Sequence, residues 1–240
     1  MTTALPLALN PALNVADLRR RFAQDGRVSI AHVLSDAAAE ALHAHLSARE
    51  DWLQVINSGE KLFELGRSVR RDMTGEKVAA LDAAVYAGAR AGFQFRYETI
   101  RVPDGAAERA ASDDPLAALA TFLSQGPARD LLRHVTDTDA IDFADAQATA
   151  FAPGDFLTAH DDAVAGKKRH AAYVLGLTPQ WRPEWGGLLL FHDDREVSHG
   201  FVPAFNTLNL FRVPQRHSVS EVTRAAPYRR YSVTGWLRSR

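Results

Sequence analysis

Cysteine is absent from the 240 residues. That excludes disulfides, thiolate zinc sites and a cysteine nucleophile, so any metal must be held by His, Asp or Glu, and a reducing cytoplasm is the compartment that fits. The chain also lacks a dominant charge. Lys plus Arg is 28 and Asp plus Glu is 29, a formal net charge of −1, which offers no field to gather nucleic acid or an anionic membrane surface; neither is an expected partner. Long hydrophobic runs are missing too, and no window approaches the ~18 apolar residues of a membrane span. The opening MTTALPLALNPALNVADLRRRF has an apolar patch with no basic residue ahead of it, broken by Pro6 and Pro11, so a secretory leader is not expected. No repeat or low-complexity tract occurs.

What is present is ordinary globular composition, 46% hydrophobic and 24% charged. It is enough to bury one full core, and we expect a single catalytic domain over residues 1–240. Its character changes near residue 138. Residues 1–137 read as helical support with flanking strands. Ser35 stands as an N-cap ahead of Asp36 to Ala48, and Thr74 ahead of Gly75 to Ala91, where Val78, Leu81, Val85 and Ala89 recur at helical spacing. Trp52 to Leu65 reads as a hairpin about Asn57-Ser58-Gly59, and Phe93 to Val102 alternates like a strand. Pro115 and Pro127 open two further short helices. From residue 138 onward the pattern becomes short strands split by turns: IDFADAQATAF, GDFLTAHDD, RHAAYVLGL, GGLLLFHD, FNTLNLFRV, HSVSEVT and RRYSVTGWL. With no helix between them they predict an antiparallel double-sheet roll, an α+β and mainly β fold whose N-terminal helices cover one outer face.

His160 and Asp162 are two apart in one such strand, so their side chains leave the same face and can converge on an ion. His217 opens a later strand and could return beside them. Two histidines and one carboxylate leave three positions open, as Fe(II) oxygenases require, although the same residues could also be capping or surface groups. In the last strand Arg230, Ser232 and Thr234 share one face while Tyr231, Val233 and Leu237 share the other. If the apolar face packs under the helices, Arg230 points into the roll, where a guanidinium needs an anion. The choices are a carboxylate ligand gripped as a fork, with Ser232 adding a third bond, or a structural Asp.

These strings resemble the Fe(II)/2-oxoglutarate-dependent dioxygenases of the prolyl hydroxylase branch: His160-Asp161-Asp162, His217, and Arg230-Tyr231-Ser232 followed by Gly235-Trp236. The resemblance covers about residues 140 to 238. The runs FLTAHDD, KKRHAAYVLGLTPQWRPEWGGLLLF and RRYSVTGW are especially similar to the ribosomal-protein prolyl hydroxylase group. It implies a double-stranded β-helix (jelly roll) core over residues 138–240 with the metal site; His160, Asp162 and His217 as Fe(II) ligands; and 2-oxoglutarate held by Arg230 and Ser232. Tyr173 in AAYVLGL is the candidate for a further hydrogen bond to that co-substrate, its alternative being a core tyrosine. The implied reaction consumes dioxygen, converts 2-oxoglutarate to succinate and carbon dioxide, and hydroxylates an unactivated C–H bond of a prolyl residue in a protein or of a proline-like small molecule. Ascorbate would serve only to keep the metal reduced.

Two departures stand out. Relatives often carry two such domains in tandem, and the His217 to Arg230 spacing is long, which leaves Arg229 or Arg224 as other anchors. Three other features of the sequence compete with this site. His192-Asp193-Asp194 repeats the HDD string but reads, with Arg195-Glu196, as an exposed hairpin tip. Lys167-Lys168-Arg169-His170 reads as a solvated loop beside the site that could steer an acidic substrate, and Trp181, Trp185 and Trp236 as core or rim packing. The functional alternatives are a silent metal- or ligand-binding roll, and a zinc or manganese enzyme, which would need more histidines at GxxxxxHxH spacing than occur here.

Overall fold

Helix starts follow local chemistry. Asn14 accepts from Asp17 N, Thr74 from Lys77 N, and Asp114 from Leu116 N with Pro115 behind it. Ser35 precedes its helix as expected but makes no side-chain cap bond. The computed structural model describes residues 5–194 and 196–239. In chain order the elements are α1 (Val15–Asp25), β1 (Arg27–Ala31), α2 (Asp36–Ala48), β2 (Leu53–Ser58), β3 (Lys61–Gly66), α3 (Arg67–Arg71), α4 (Gly75–Ala91), β4 (Phe95–Arg101), α5 (Ala106–Ala110), α6 (Pro115–Ser124) and α7 (Gly126–Thr136). Then follow β5 (Phe143–Ala144), β6 (Gln147–Phe151), β7 (Phe156–His160), β8 (Arg169–Gly176), β9 (Leu189–Asp193), β10 (Glu196–Phe201), β11 (Thr207–Arg212), β12 (His217–Val219) and β13 (Arg230–Arg238).

The strands join in the order β1-β11-β8-β13-β6-β4-β7-β12-β9-β10, with β2 and β3 attached beyond β4 and β5 paired to β13. Pairing is antiparallel in each ladder, and the sheet curls where β4 meets β7 through only two residue pairs, Phe95↔Leu157 and Arg96↔Phe156. The result is a nearly closed, jelly-roll-like barrel. Its outer face on the β11-β8-β13-β6 side carries the main apolar core. Tyr231, Val233 and Leu237 of β13 meet Leu42 and Leu46 of α2, Leu119 of α6 and Leu132 of α7 there. Each such side chain taken fully out of water contributes about 1.5–3 kcal/mol, which is what seats the helices on this face.

The expected strand 141–151 is split into β5 and β6. Asp145 accepts Trp236 N (2.6 Å) on one carboxylate oxygen and Arg238 (3.1 Å) on the other, replacing ladder bonds at the break. Besides β10, four elements were not anticipated: α1, β1, which covers the edge of β11, and the short helices α3 and α5. The segment read as an exposed hairpin tip continues into a real strand, β10, paired with β9.

Candidate metal and co-substrate site

His160 closes β7 and His217 opens β12, and the two are direct cross-strand partners with ring centroids 4.2 Å apart. Asp162 lies just past the end of β7 rather than within it. The turn still presents its carboxylate to both rings: Oδ1 is 3.5 Å from His160 Nε2 and Oδ2 is 3.5 Å from His217 Nε2. Each Nδ1 faces a carbonyl two residues earlier, Thr158 O at 3.0 Å and Gln215 O at 2.8 Å. A backbone acceptor at Nδ1 holds the proton there, leaving the Nε2 lone pair aimed at the centre. The three donor atoms lie within 4.8 Å of one another and could hold a metal ion. An ion with ~2.1 Å bonds wants adjacent ligand atoms about 3 Å apart, so modest closure suffices. Burial, then the neighbouring His160, pushes the His217 pKa down, which favours the neutral ring a metal needs. Burial would raise the Asp162 pKa, but the bond to His160 and the charges of both histidines outweigh it and hold it low.

The triad opens on a cavity of about 280 Å³ inside the barrel, walled by Phe95, Tyr97, Phe151, Leu157 and Trp236. Arg230 reaches into it from β13. It is 4% exposed, has no carboxylate partner among the described residues, and lies 5.2 Å from the centre of the Phe151 ring. Burial alone pulls its pKa down to about 10, so it stays charged at neutral pH and in need of an anion. The alternative anchors are accounted for elsewhere. Arg229 sits 3.1 Å from Glu98, and Arg224 lines a separate surface groove. Ser232 shares the Arg230 face, but its hydroxyl is engaged with Thr149 Oγ1 at 2.8 Å.

Tyr173 is a correction. On β8 it is Ala172 and Val174 that pack towards the barrel interior, with Phe191 and Phe211. Tyr173 belongs to the helix-covered core beside Val233, and its hydroxyl donates to Asp145 O at 2.7 Å. Gly235 stands opposite it, where a Cβ would meet Asp145 O at 2.0 Å and the Tyr173 ring at 2.9 Å. Tyr173 thus borders the cavity, but its hydroxyl is engaged by Asp145 O and its ring packs in the helix-covered core. A second tyrosine lining the cavity, Tyr97, is stacked on Phe151 at 5.0 Å and was missed, because alternation of β4 shows two faces without saying which is interior.

Arg169 is a second correction. It opens β8 instead of standing in a solvated loop: its guanidinium lies 3.5 Å from the Trp236 ring centre and donates to Asp162 O at 2.9 Å. Of Trp181, Trp185 and Trp236, the last lines the cavity, while the first two pack on each other as rim. His192 stays apart from the triad, 2.7 Å from Ser218 Oγ; Arg195 lies outside the described residues. Among the described residues only His160, Asp162 and His217 converge as metal donors.

Residues 146–238 match the family model of the 2OG-Fe(II) oxygenase superfamily. This stretch is similar to a 2OG-Fe(II) oxygenase domain. All three triad residues and Arg230 fall within the matched stretch, and Fe(II) and 2-oxoglutarate are the cofactor and co-substrate that the matched family implies. The chain is similar to prolyl 3-hydroxylase sudestada1 of Drosophila melanogaster, 32% identical over 111 residues, which are 40% of this chain and 20% of that protein. It is also similar to prolyl 3-hydroxylase OGFOD1 of Mus musculus, 33% identical over 91 residues, 35% of this chain and 16% of that one. The match therefore spans a fifth or less of these relatives' lengths. Among solved structures, a Pseudomonas putida prolyl-4-hydroxylase aligns with a TM-score of 0.59 at 18% identity, covering 94% of this chain and 99% of that one. A Burkholderia pseudomallei 2OG-Fe(II) oxygenase-family oxidoreductase aligns with a TM-score of 0.60 at 14% identity, covering 98% and 95%. At such identities the likeness is one of fold, the double-stranded β-helix.

Proposed function

We propose that this chain is an Fe(II)- and 2-oxoglutarate-dependent dioxygenase that hydroxylates a prolyl residue of a polypeptide. The observation that carries the reading is that one cavity holds both a two-histidine, one-carboxylate donor set and a buried arginine without a carboxylate of its own. His160, Asp162 and His217 would hold the metal on one face, leaving three positions open. Bound iron with 2-oxoglutarate and dioxygen supplies an oxidant able to hydroxylate an unactivated C–H bond while 2-oxoglutarate becomes succinate and carbon dioxide.

The chain's own residues set the conditions. The carbonyls of Thr158 and Gln215 keep the Nδ1 protons in place and so fix which ring nitrogen is offered. Arg230 offers a planar fork to the distal carboxylate of 2-oxoglutarate, with the Ser232–Thr149 hydroxyl pair one pleat along. Phe95, Tyr97, Phe151 and Leu157 exclude water, which strengthens the arginine–carboxylate attraction. The prolyl specificity draws on the similarity to prolyl 3-hydroxylases. The shared core of helices and barrel supports a single catalytic domain over residues 1–240. Among the described residues no helix is long and apolar enough to cross a membrane, and with no cysteine in the chain the cytoplasm is the location we propose.

The test is succinate formation by protein purified without oxygen, then given Fe(II), 2-oxoglutarate, air and prolyl peptides, with and without ascorbate. We expect succinate from wild type and background from His217→Ala. A wild type that binds iron but makes no succinate with any peptide would instead mark a silent binding roll.

A further inference from the structure

The catalytic cavity has two dissimilar flanks, laid out along one strand. On β4, Phe95, Tyr97, Thr99 and Arg101 alternate onto the interior face, and Phe95 to Arg101 spans about 20 Å at ~3.3 Å per residue. At the first end Phe93 stands 49% exposed with its ring 5.4 Å from that of His160. It forms a wall shared with a second, larger hollow of about 670 Å³ between α4 and the β2–β3 hairpin. That hollow is lined mainly by carbon, Ile56, Phe63 and Leu65 facing Leu81, Val85 and Gly88, and Phe63 is 50% exposed.

At the other end the cavity runs into a groove of about 190 Å³ bordered by Arg101, Lys167, Arg169 and Arg238. Gln147, Arg169, Thr234 and Trp236 line both. Its carboxylates, Asp104 and Asp145, are both engaged by Arg238. Among the described residues, Arg101 and Lys167 form no ion pair with a carboxylate, while Arg169, within the field of Asp162 and Asp145, carries a buried Nε without a hydrogen-bond partner.

We propose that the site receives an extended polypeptide of ordered polarity: apolar side chains beside the reacting residue on the Phe93 flank, and Asp or Glu on the Arg101–Lys167 flank. The proposal rests on the prolyl hydroxylase reading for naming a polypeptide. The spacing of the flanks corresponds to about six residues of extended chain. Charge complementarity selects the acidic end, and desolvation of side chains against Phe63, Leu65 and Leu81 holds the other. A nucleic acid fits poorly, since its backbone would need cations along the whole track, and one flank offers mainly apolar surface and no cation.

The experiment is fluorescence anisotropy with labelled peptides of about nine residues and a central proline. Protein is loaded with 2-oxoglutarate and a redox-silent divalent metal so that binding is read without turnover. Leu/Phe on one side and Asp/Glu on the other are compared, in both orders, with Ser and Gln replacements. We expect one order to bind about tenfold more tightly than the Gln form and than the Ser form. Arg101→Glu with Lys167→Glu should erase the acidic preference, Phe63→Asp the apolar one, and Arg20→Glu on α1 neither. Equal binding of all peptides, preferences untouched by these variants, or tighter binding of a short oligothymidylate would overturn the proposal. Succinate release with the same peptides separates the two ideas. Ordered binding without succinate from any peptide sinks the hydroxylase reading and keeps the flanks; succinate without preference does the reverse.

Discussion

Arg229 and Arg230 are neighbours in the chain and opposites in circumstance. Arg229 turns to the outer side, where Glu98, wholly buried, also receives Arg67 at 2.8 Å and Arg70. Arg230 turns inward to a cavity that gives it an aromatic ring and no anion. The outer cluster is complete within the fold, and removing its centre strands three cations. The inner site keeps its cation unpaired and its histidine lone pairs unshared, which costs stability and leaves them free for something the chain does not contain. Equal residue types thus carry structure on one face of the barrel and chemistry on the other.

The largest expected effect is on the inner side. Asp162→Ala should lose tight Fe(II) binding and drop succinate formation to background while the folded circular dichroism spectrum is retained; turnover near wild type would remove the triad from the metal site. Next comes the outer side. Glu98→Ala should destabilise by about 1–3 kcal/mol in chemical denaturation, because three half-buried arginines lose the carboxylate they share. Burial would raise the Glu98 pKa, but Arg67 and its fellow arginines more than offset it and hold it below the usual 4.5. The carboxylate's contribution is therefore present above pH 4.5 and lost as pH falls through the lower folded value, so the variant's penalty should shrink in acid. A penalty independent of pH would contradict the charge account.

Arg230→Leu should go the other way. Without ligand it should hold stability or raise it by about 1 kcal/mol, since an unpaired buried cation is removed, while weakening 2-oxoglutarate by about 10- to 100-fold. A loss like that of Glu98→Ala would mean that Arg230 is structural. The smallest effect belongs to Tyr173→Phe, which deletes the donor to Asp145 O. It should cost about 1 kcal/mol and leave 2-oxoglutarate affinity unchanged; a weakened co-substrate would restore Tyr173 to the site.

The contrast between faces also shows what was legible in the sequence. The barrel was readable because its strands are short, alternating and divided by turns, and α2, α4, α6 and α7 because their spacing and starts agree. Alternation placed Arg230 opposite Val233 and Leu237, and that reading needed only the apolar face to be under the helices. The same rule could not decide between the two readings of Tyr173 on β8. There Tyr173 lies on the helix-covered side and the small Ala172 faces the interior, and period two cannot tell the faces apart when both are buried. Arg169 was hidden inside a basic run, since its stacking on Trp236 depends on a strand brought alongside from the far end of the chain.

The most direct measurement of the central claim is an anaerobic titration of the Fe(II)-loaded protein with 2-oxoglutarate, followed by the visible absorption that arises when the keto acid chelates the iron. The account predicts a saturable band in wild type, no band in His217→Ala, and a band of the same shape reached only at much higher 2-oxoglutarate in Arg230→Leu. No band in wild type, or a half-saturation unmoved by the Arg230 substitution, would contradict the claim that the triad and this arginine form one site.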